Sequence, residues 1–172
     1  MQPNHVSVPA GAIAPRWLES PLSQILDHIL HTYHAPLRED LARIHLLISQ
    51  ARATPRGCSV ERQAILEEIW QCFSTLREEL ELHMEKEEQV LFPWIRAGRS
   101  ASAKAPIKVM QHDHKQTEEL LARLGKLRER YIPLMDGAQA TQSIVQGLAA
   151  IDDSLREHIR LEELVFHRAL AS

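Results

Sequence analysis

The sequence has 172 residues, of which 44% are hydrophobic, a size and composition that predict one domain around a single core. Its formal net charge is −3, with acidic and basic residues interspersed, so no basic face is expected to bind a nucleic-acid backbone. Two cysteines, Cys58 and Cys72, are too few for a disulfide framework, and no segment resembles a signal peptide or a membrane span, so we expect a cytoplasmic protein without nucleic-acid or membrane partners.

Apolar residues recur every three or four positions through four long segments, a pattern that predicts an all-α protein. Helix one is expected over residues 20–51, with Ser20 capping its free amides and a kink near Pro36. A loop at residues 54–57 follows, and helix two is expected over residues 60–96.

The second half of the chain follows the same plan. Helix three is expected over residues 106–131, because Pro106 suits the first turn of a helix and follows a polar connector at residues 98–105. A turn at residues 133–137 leads to helix four, expected over residues 139–170. Four helices joined by short loops predict an up-down antiparallel four-helix bundle.

Residues 20–172 are expected to form this one domain, behind a flexible segment at residues 1–19. Each helix buries its apolar stripe in the shared core, so a polar residue on the stripe is expected to be buried as well. In helix one, the stripe that includes Leu30 also includes His34, and the stripe of helix three includes His114.

Helices two and four each place a histidine and a glutamate on the stripe, four residues apart. His83 and Glu87 share the stripe of helix two with Trp94, and His158 and Glu162 lie on that of helix four. The strings HMEKEEQV and HIRLEELV, which begin at these two histidines, match at the histidine, both glutamates and the valine. This repeat predicts a site with pseudo-twofold symmetry.

Six inward polar side chains predict a metal centre. A buried carboxylate needs a compensating cation, and no lysine or arginine lies on these stripes. We predict two iron ions with an oxo or hydroxo bridge and with Glu87 and Glu162 as carboxylate bridges, although manganese accepts the same nitrogen and oxygen ligands. The predicted ligands are His34, His83, Glu87, His114, His158 and Glu162.

Other polar residues near these stripes are expected to have no part in the metal centre. Glu85, Lys86 and Glu88 are expected to form a solvated helix flank, and Cys72 to fill space in the core. The other histidines are expected to be solvated or structural, and they are His5, His28, His31, His45, His112 and His167.

Several segments resemble the hemerythrin-like domain, in particular its branch of repair of iron centres (RIC) proteins, the di-iron family that repairs iron-sulfur clusters. The resemblance covers nearly the whole chain from Pro21 onward and implies the same six metal ligands. Its segments are Tyr33-His34, HMEKEEQVLFP at residues 83–93, PIKVM at residues 106–110 leading to His114, and residues 158–166. Two departures are that only a short segment precedes helix one, where the family has a small cysteine-containing domain, and that His167 replaces a proline.

The resemblance implies a bacterial stress protein that helps iron-sulfur enzymes recover from nitrosative or oxidative damage. The leading hypothesis is a non-haem di-iron protein that reacts with nitric oxide or reactive oxygen species such as peroxide, or releases iron, with iron-sulfur proteins as partners. A dioxygen-binding or sensing protein is the alternative, which the lack of a fifth inward histidine disfavours. A metal-free helical interaction module is a third hypothesis, and the sequence leaves open whether the chain is a monomer or a dimer.

Overall fold

A computed structural model describes residues 13–53, 59–135 and 137–171, and every regular element within these ranges is helical. Two π-helical turns, Leu30–His34 and Glu87–Leu91, join α2 to α3 and α4 to α5, and a 3-10 turn, Ile132–Leu134, follows α6. No helix of the described ranges has the length and low polarity that a membrane span requires. The α-helices are α1 (Pro15–Glu19), α2 (Leu22–Ile29), α3 (Ala35–Ala53), α4 (Val60–Lys86), α5 (Phe92–Arg96), α6 (Ser100–Tyr131) and α7 (Gln139–Ala171).

The long helices form a four-membered bundle. The first bundle helix consists of α2, a π turn and α3, the second of α4, a π turn and α5, and the third and fourth are α6 and α7. Each packs against two neighbours, because α3 and α6 both contact α4 and α7. The start of the first bundle helix lies beside the end of the second, since α2 contacts α5. The predicted all-α, up-down antiparallel four-helix bundle is therefore confirmed.

A layer of buried polar side chains divides the core into two apolar clusters. The first cluster joins α2, α5, the start of α6 and the end of α7, and it includes Phe92 and Phe166. The second fills the other half of the bundle and includes Phe73 and Tyr131. Because both clusters are dry and closely packed, the polar layer between them is isolated from bulk water at each end of the bundle.

The chain enters the bundle differently from the prediction that Ser20 caps helix one. The Oγ of Ser20 donates a hydrogen bond to the carbonyl oxygen of Arg16 at 2.7 Å. Ser20 therefore ends α1 and does not cap α2. Arg168 on α7 donates to the carbonyl oxygens of Trp17 and Ser20, at 3.1 and 2.7 Å, and so ties α1 to the bundle. Residues 1–12 of the predicted flexible segment lie outside the described ranges, and the domain boundary remains a prediction.

Helix three starts earlier than predicted. α6 begins at Ser100, so most of the predicted connector at residues 98–105 is helical, and Pro106 lies inside the helix. The earlier start buries Ala103 in the first apolar cluster, and this packing offsets part of the cost of the hydrogen bond that a proline removes. The predicted loop at residues 54–57 lies outside the described ranges.

Each π turn ends two residues before a proline. Pro36 and Pro93 have no N–H, and the ring of a proline presses on the carbonyl group four residues earlier. A turn closed by a hydrogen bond to the carbonyl five residues back relieves this contact, and that bond forms after both turns. The kink predicted near Pro36 is thus a π turn that ends at His34.

The π turns also rotate the apolar stripe of each helix. Leu30 and Trp94, predicted to point into the core, are only half-buried. Ile29 and Ile95 are buried in their place. A strict 3.6-residue period cannot produce this arrangement, because one extra residue in a turn shifts every following side chain by about 100°.

Candidate metal centre

All six predicted ligands lie in the polar layer of the bundle core and are buried. His34 ends the first π turn, and Glu87 begins the second, one helical turn after His83. The α6 helix supplies His114, and α7 supplies the other histidine and glutamate. The prediction that these residues face the core is confirmed, whereas their role as metal ligands remains a prediction.

The six side chains form two overlapping groups, each with two histidines and two glutamates. In each group the candidate ligand atoms all lie within 4.8 Å of one another. Ligands on opposite sides of a first-row metal ion are about 4–4.5 Å apart, so each group has the size of one coordination sphere. Both glutamates belong to both groups. The groups are His34, Glu87, His158 and Glu162, and His83, Glu87, His114 and Glu162.

Glu162 directs one carboxylate oxygen to each group. Its Oε1 lies 3.3 Å from Nε2 of His34 and also contacts Nε2 of His158. Its Oε2 lies 3.0 Å from Nε2 of His114 and 3.9 Å from Nε2 of His83. All four histidines thus present Nε2 to the same carboxylate, which has the orientation that a bridging ligand needs.

Glu87 lies between the groups without a satisfied hydrogen bond. Its Oε2 is 3.4 Å from Nε2 of His34 and 3.5 Å from Nε2 of His83, and neither of its oxygens has a hydrogen-bond partner among the described residues. Burial and repulsion by Glu162 raise the pKa of Glu87 to about 7. A fully buried carboxylate without partners is costly, so this site needs a cation.

The histidines respond to the two carboxylates in different ways. Burial lowers the pKa of His34, but Glu162 and Glu87 outweigh this effect and raise the pKa to about 10. For His114, Glu162 and Glu163 likewise outweigh burial and raise the pKa to about 10. Burial dominates at His158 and lowers its pKa. The carboxylate pair is therefore partly compensated by protonated imidazoles, with no lysine or arginine of the described residues in contact with it.

Two further glutamates hold the lone histidines of the first and third bundle helices. Nδ1 of His34 donates to Glu88 Oε1 at 2.7 Å, and Nδ1 of His114 donates to Glu163 Oε1 at 2.9 Å. Because these carboxylates accept hydrogen bonds, they fix the proton on Nδ1 and direct Nε2 inward. The prediction that Glu88 lies on a solvated flank is therefore wrong, since its side chain is only 30% exposed and is hydrogen-bonded.

The internal repeat of the sequence contained a signal for the contacts of Glu88 and Glu163 with these two histidines. Glu88 and Glu163 are the second glutamates of HMEKEEQV and HIRLEELV, so they occupy equivalent positions in the two halves. Each is fixed by a further partner, Arg38 at 2.9 Å for Glu88 and Gln111 at 2.9 Å for Glu163. A match at both glutamates of the repeat indicates a shared role for the second as well as for the first.

Two more residues of the site were not predicted to contact its histidines. Asp113 Oδ2 lies 3.5 Å from Nδ1 of His83 and accepts a hydrogen bond from Lys86 at 2.9 Å. Tyr33 stacks on His158 with ring centroids 5.2 Å apart and an interplanar angle of 3°. These contacts depend on how neighbouring helices are rotated, which the stripe pattern does not specify.

The remaining histidines of the described ranges lie outside both groups. His31, His112 and His167 are exposed, as predicted. The two half-buried ones stack on tryptophans, His28 on Trp17 and His45 on Trp70. Cys72 is buried in the second apolar cluster, as predicted, whereas His5 and Cys58 lie outside the described ranges.

Comparison with known proteins identifies the family that the chain resembles. The model of the hemerythrin HHE cation-binding domain matches residues 26–170. Iron-sulfur cluster repair proteins named YtfE, from Escherichia coli O81 and Escherichia coli O157:H7, are each 35% identical to the chain over 156 residues. The YtfE protein of Escherichia fergusonii has the same identity, and these alignments cover 90% of the chain and 69% of each relative.

Proposed function

The chain belongs to the hemerythrin HHE cation-binding domain family, and on this basis we propose that it is a non-haem di-iron protein of iron-sulfur cluster repair. In this proposal it reacts with nitric oxide or reactive oxygen species, or releases iron, in the repair of stress-damaged clusters, and iron-sulfur proteins are its partners. The bacterial relatives named as iron-sulfur cluster repair proteins support this assignment.

One observation carries the proposal: two groups of four buried ligands share Glu87 and Glu162. Two glutamates common to both groups fit a pair of adjacent ions better than two independent sites, because a carboxylate has one oxygen for each ion. Imidazole and carboxylate are ligands that suit iron. Four histidines divided equally between the groups would give each ion two nitrogen ligands.

The unpaired oxygens of Glu87 test whether a cation fits here. Glu87 is fully buried, and neither of its carboxylate oxygens has a hydrogen-bond partner among the described residues. Nε2 of His158 also lacks a hydrogen-bond partner among the described residues, since it contacts Glu162 without hydrogen-bond geometry. These orphaned atoms belong to the ligand set itself, so the residues present fit a metal pair.

Residues around the centre exclude bulk water from it and orient its histidines. Bound iron would supply redox chemistry and Lewis acidity toward a diatomic ligand or peroxide. The two apolar clusters exclude bulk water on both sides of the polar layer. Glu88 and Glu163 keep the imidazoles of His34 and His114 in the ligating tautomer. No fifth histidine joins either group within the described ranges, which disfavours the dioxygen-binding alternative.

The test begins with the metal content and visible spectrum of protein purified without added metal or chelator. We expect about two irons per chain, and a change of spectrum when the reduced protein is titrated with nitric oxide or peroxide. Glu162→Ala should abolish both, because Glu162 belongs to both groups, whereas Glu119→Ala at an exposed position of α6 should keep both. Metal-free protein with an intact helical spectrum, or a reversible oxygenated spectrum without a nitric oxide reaction, would contradict the proposal.

A further inference from the structure

The four histidines differ in what holds the ring nitrogen that faces away from the centre. His34 and His114 each donate from Nδ1 to a carboxylate, at 2.7 Å to Glu88 and at 2.9 Å to Glu163. Such an outer carboxylate orients a ligating imidazole and makes it a stronger ligand. Each of the two ligand groups contains one histidine that is held in this way.

The other two histidines, His83 and His158, are held less firmly, and not to the same degree. Asp113 lies 3.5 Å from Nδ1 of His83, within ion-pair distance, but this nitrogen has no hydrogen-bond partner among the described residues. His158 has no carboxylate within hydrogen-bonding distance of Nδ1 among the described residues, and Tyr33 stacks flat against its ring. Stacking restrains the plane of an imidazole but leaves its basicity unsupported.

The two ligand groups are therefore unequal. Each group has one hydrogen-bonded outer carboxylate, and the group with His83 and His114 also has Asp113 within ion-pair distance, whereas the group with His34 and His158 has no second carboxylate of this kind among the described residues. A cavity of about 220 Å³ lies on the other side of Tyr33, lined by Trp17 and Arg160 among others. Tyr33 thus contacts the ring of His158 and also lines this cavity.

We propose that His158 is the weakest-held ligand and that the group of His34, Glu87, His158 and Glu162 releases its ion before the other group does. This inference rests on the proposed function, because it requires two bound ions. It assigns iron release to one position of the pair and gives Tyr33 the part of a positioning residue. Tyr33 keeps the ring of His158 in its ligating plane.

The experiment is a chelation time course on protein loaded anaerobically with two ferrous ions per chain. A chromogenic ferrous chelator in excess reports the release of each ion without any activity assay. We expect two phases of equal amplitude, one ion per chain in each. Their rates should differ enough to resolve two phases, but by less than the about 10- to 100-fold that loss of a hydrogen-bonded outer carboxylate causes, because Asp113 supports His83 without a hydrogen bond.

Matched variants assign the phases to the groups. Glu88→Gln should accelerate only the fast phase, because Glu88 supports His34, and Glu163→Gln should accelerate only the slow phase, because Glu163 supports His114. Glu85→Gln is the control, since Glu85 is exposed and, among the described residues, accepts a hydrogen bond only from the nearby Gln89. It should leave both rates unchanged.

Tyr33 is tested by a pair of substitutions. Tyr33→Leu removes the stacked ring and should accelerate the fast phase. Tyr33→Phe keeps the ring and should release the ion at the rate of the native protein. Circular dichroism of each loaded variant shows whether it is folded. A structural role alone would change both phases together.

Two results would overturn the inference while leaving the proposed function intact. One is release of both ions in a single phase from protein that binds two. The other is two phases in which Glu163→Gln accelerates the faster one. Protein that never binds two ions would overturn the proposed function and this inference together, so the metal content before chelation separates the two failures.

Discussion

Replacing Glu87 with glutamine should change stability in opposite directions in the metal-free and the metal-loaded protein. Glu87 is fully buried, and its two oxygens lack hydrogen-bond partners among the described residues. In the metal-free protein, the glutamine removes a charge that burial and Glu162 both oppose. In the loaded protein, it removes a charged ligand that both groups share. We expect stabilisation in the first state and destabilisation in the second.

The pKa of Glu87 gives the magnitude and the pH dependence for the metal-free protein. Folding raises this pKa from 4.5 to about 7, so the folded state holds the proton more tightly than the unfolded state. The carboxylate costs nothing below pH 4.5, and its cost grows until the pH exceeds about 7. At pH 8 this shift corresponds to at most about 3.5 kcal/mol, because one pKa unit is about 1.4 kcal/mol. Glu87→Gln should therefore stabilise the metal-free protein by about 1–3 kcal/mol at pH 8 and by little at pH 5.

Urea denaturation at pH 5 and pH 8, with and without iron, measures these four free energies of unfolding. Glu85→Gln, on the same helix but exposed, is the control for a general effect of removing a negative charge. In the loaded protein, Glu87→Gln should lose most of the stabilisation that iron provides. A Glu87→Gln variant that is less stable than the native protein at pH 8 without metal would refute the argument that the buried charge of this carboxylate is incompletely compensated.

Four further changes have defined outcomes. Gly147→Ala should destabilise the protein by about 1–3 kcal/mol in denaturant titrations, because the new Cβ would lie 2.0 Å from Cδ1 of the buried Ile44. Gly125→Ala, with open space around its Cβ, should be neutral or stabilise by up to about 1 kcal/mol. Chelation of the loaded protein should lower its Tm by about 5–10 °C, since a ligand at 100 times its Kd contributes about 2.7 kcal/mol, and an unchanged Tm would contradict a metal in the core. Arg168→Met should detach α1, which limited proteolysis near Trp17 would detect, because Arg168 donates to the carbonyl of Trp17.

The bundle and the orientation of the six polar residues could be predicted from the sequence because each depends on helical periodicity alone. His158 and Glu162 lie on an uninterrupted helix, so their direction follows from spacing. The same holds for His114 on α6, even though the start of that helix was predicted six residues too late. An error at a helix end does not change the rotation of residues further along the helix.

The π turns and the outer contacts could not be predicted, for two different physical reasons. A proline inside a predicted helix signals a distortion, but the sequence does not say whether the helix kinks, breaks or inserts a residue. This ambiguity led to the wrong inward assignment of Trp94 and to an overestimated burial of Leu30, which is half-buried against the first apolar cluster. The contact between Glu88 and His34 joins residues 54 positions apart, so it depends on the packing angle of two helices.

The outer carboxylates connect the buried centre to the protein surface. Side chains of Glu88 and Glu163 are 30% and 39% exposed, whereas those of Glu87 and Glu162 are fully buried. A substitution at Glu87 or Glu162 changes the centre and the charge balance of the core together. A substitution at Glu88 or Glu163 leaves the core intact and changes only how a histidine is held. Because these two outer glutamates are partly exposed to solvent, we expect that substitutions there change how His34 and His114 are held without opening the bundle.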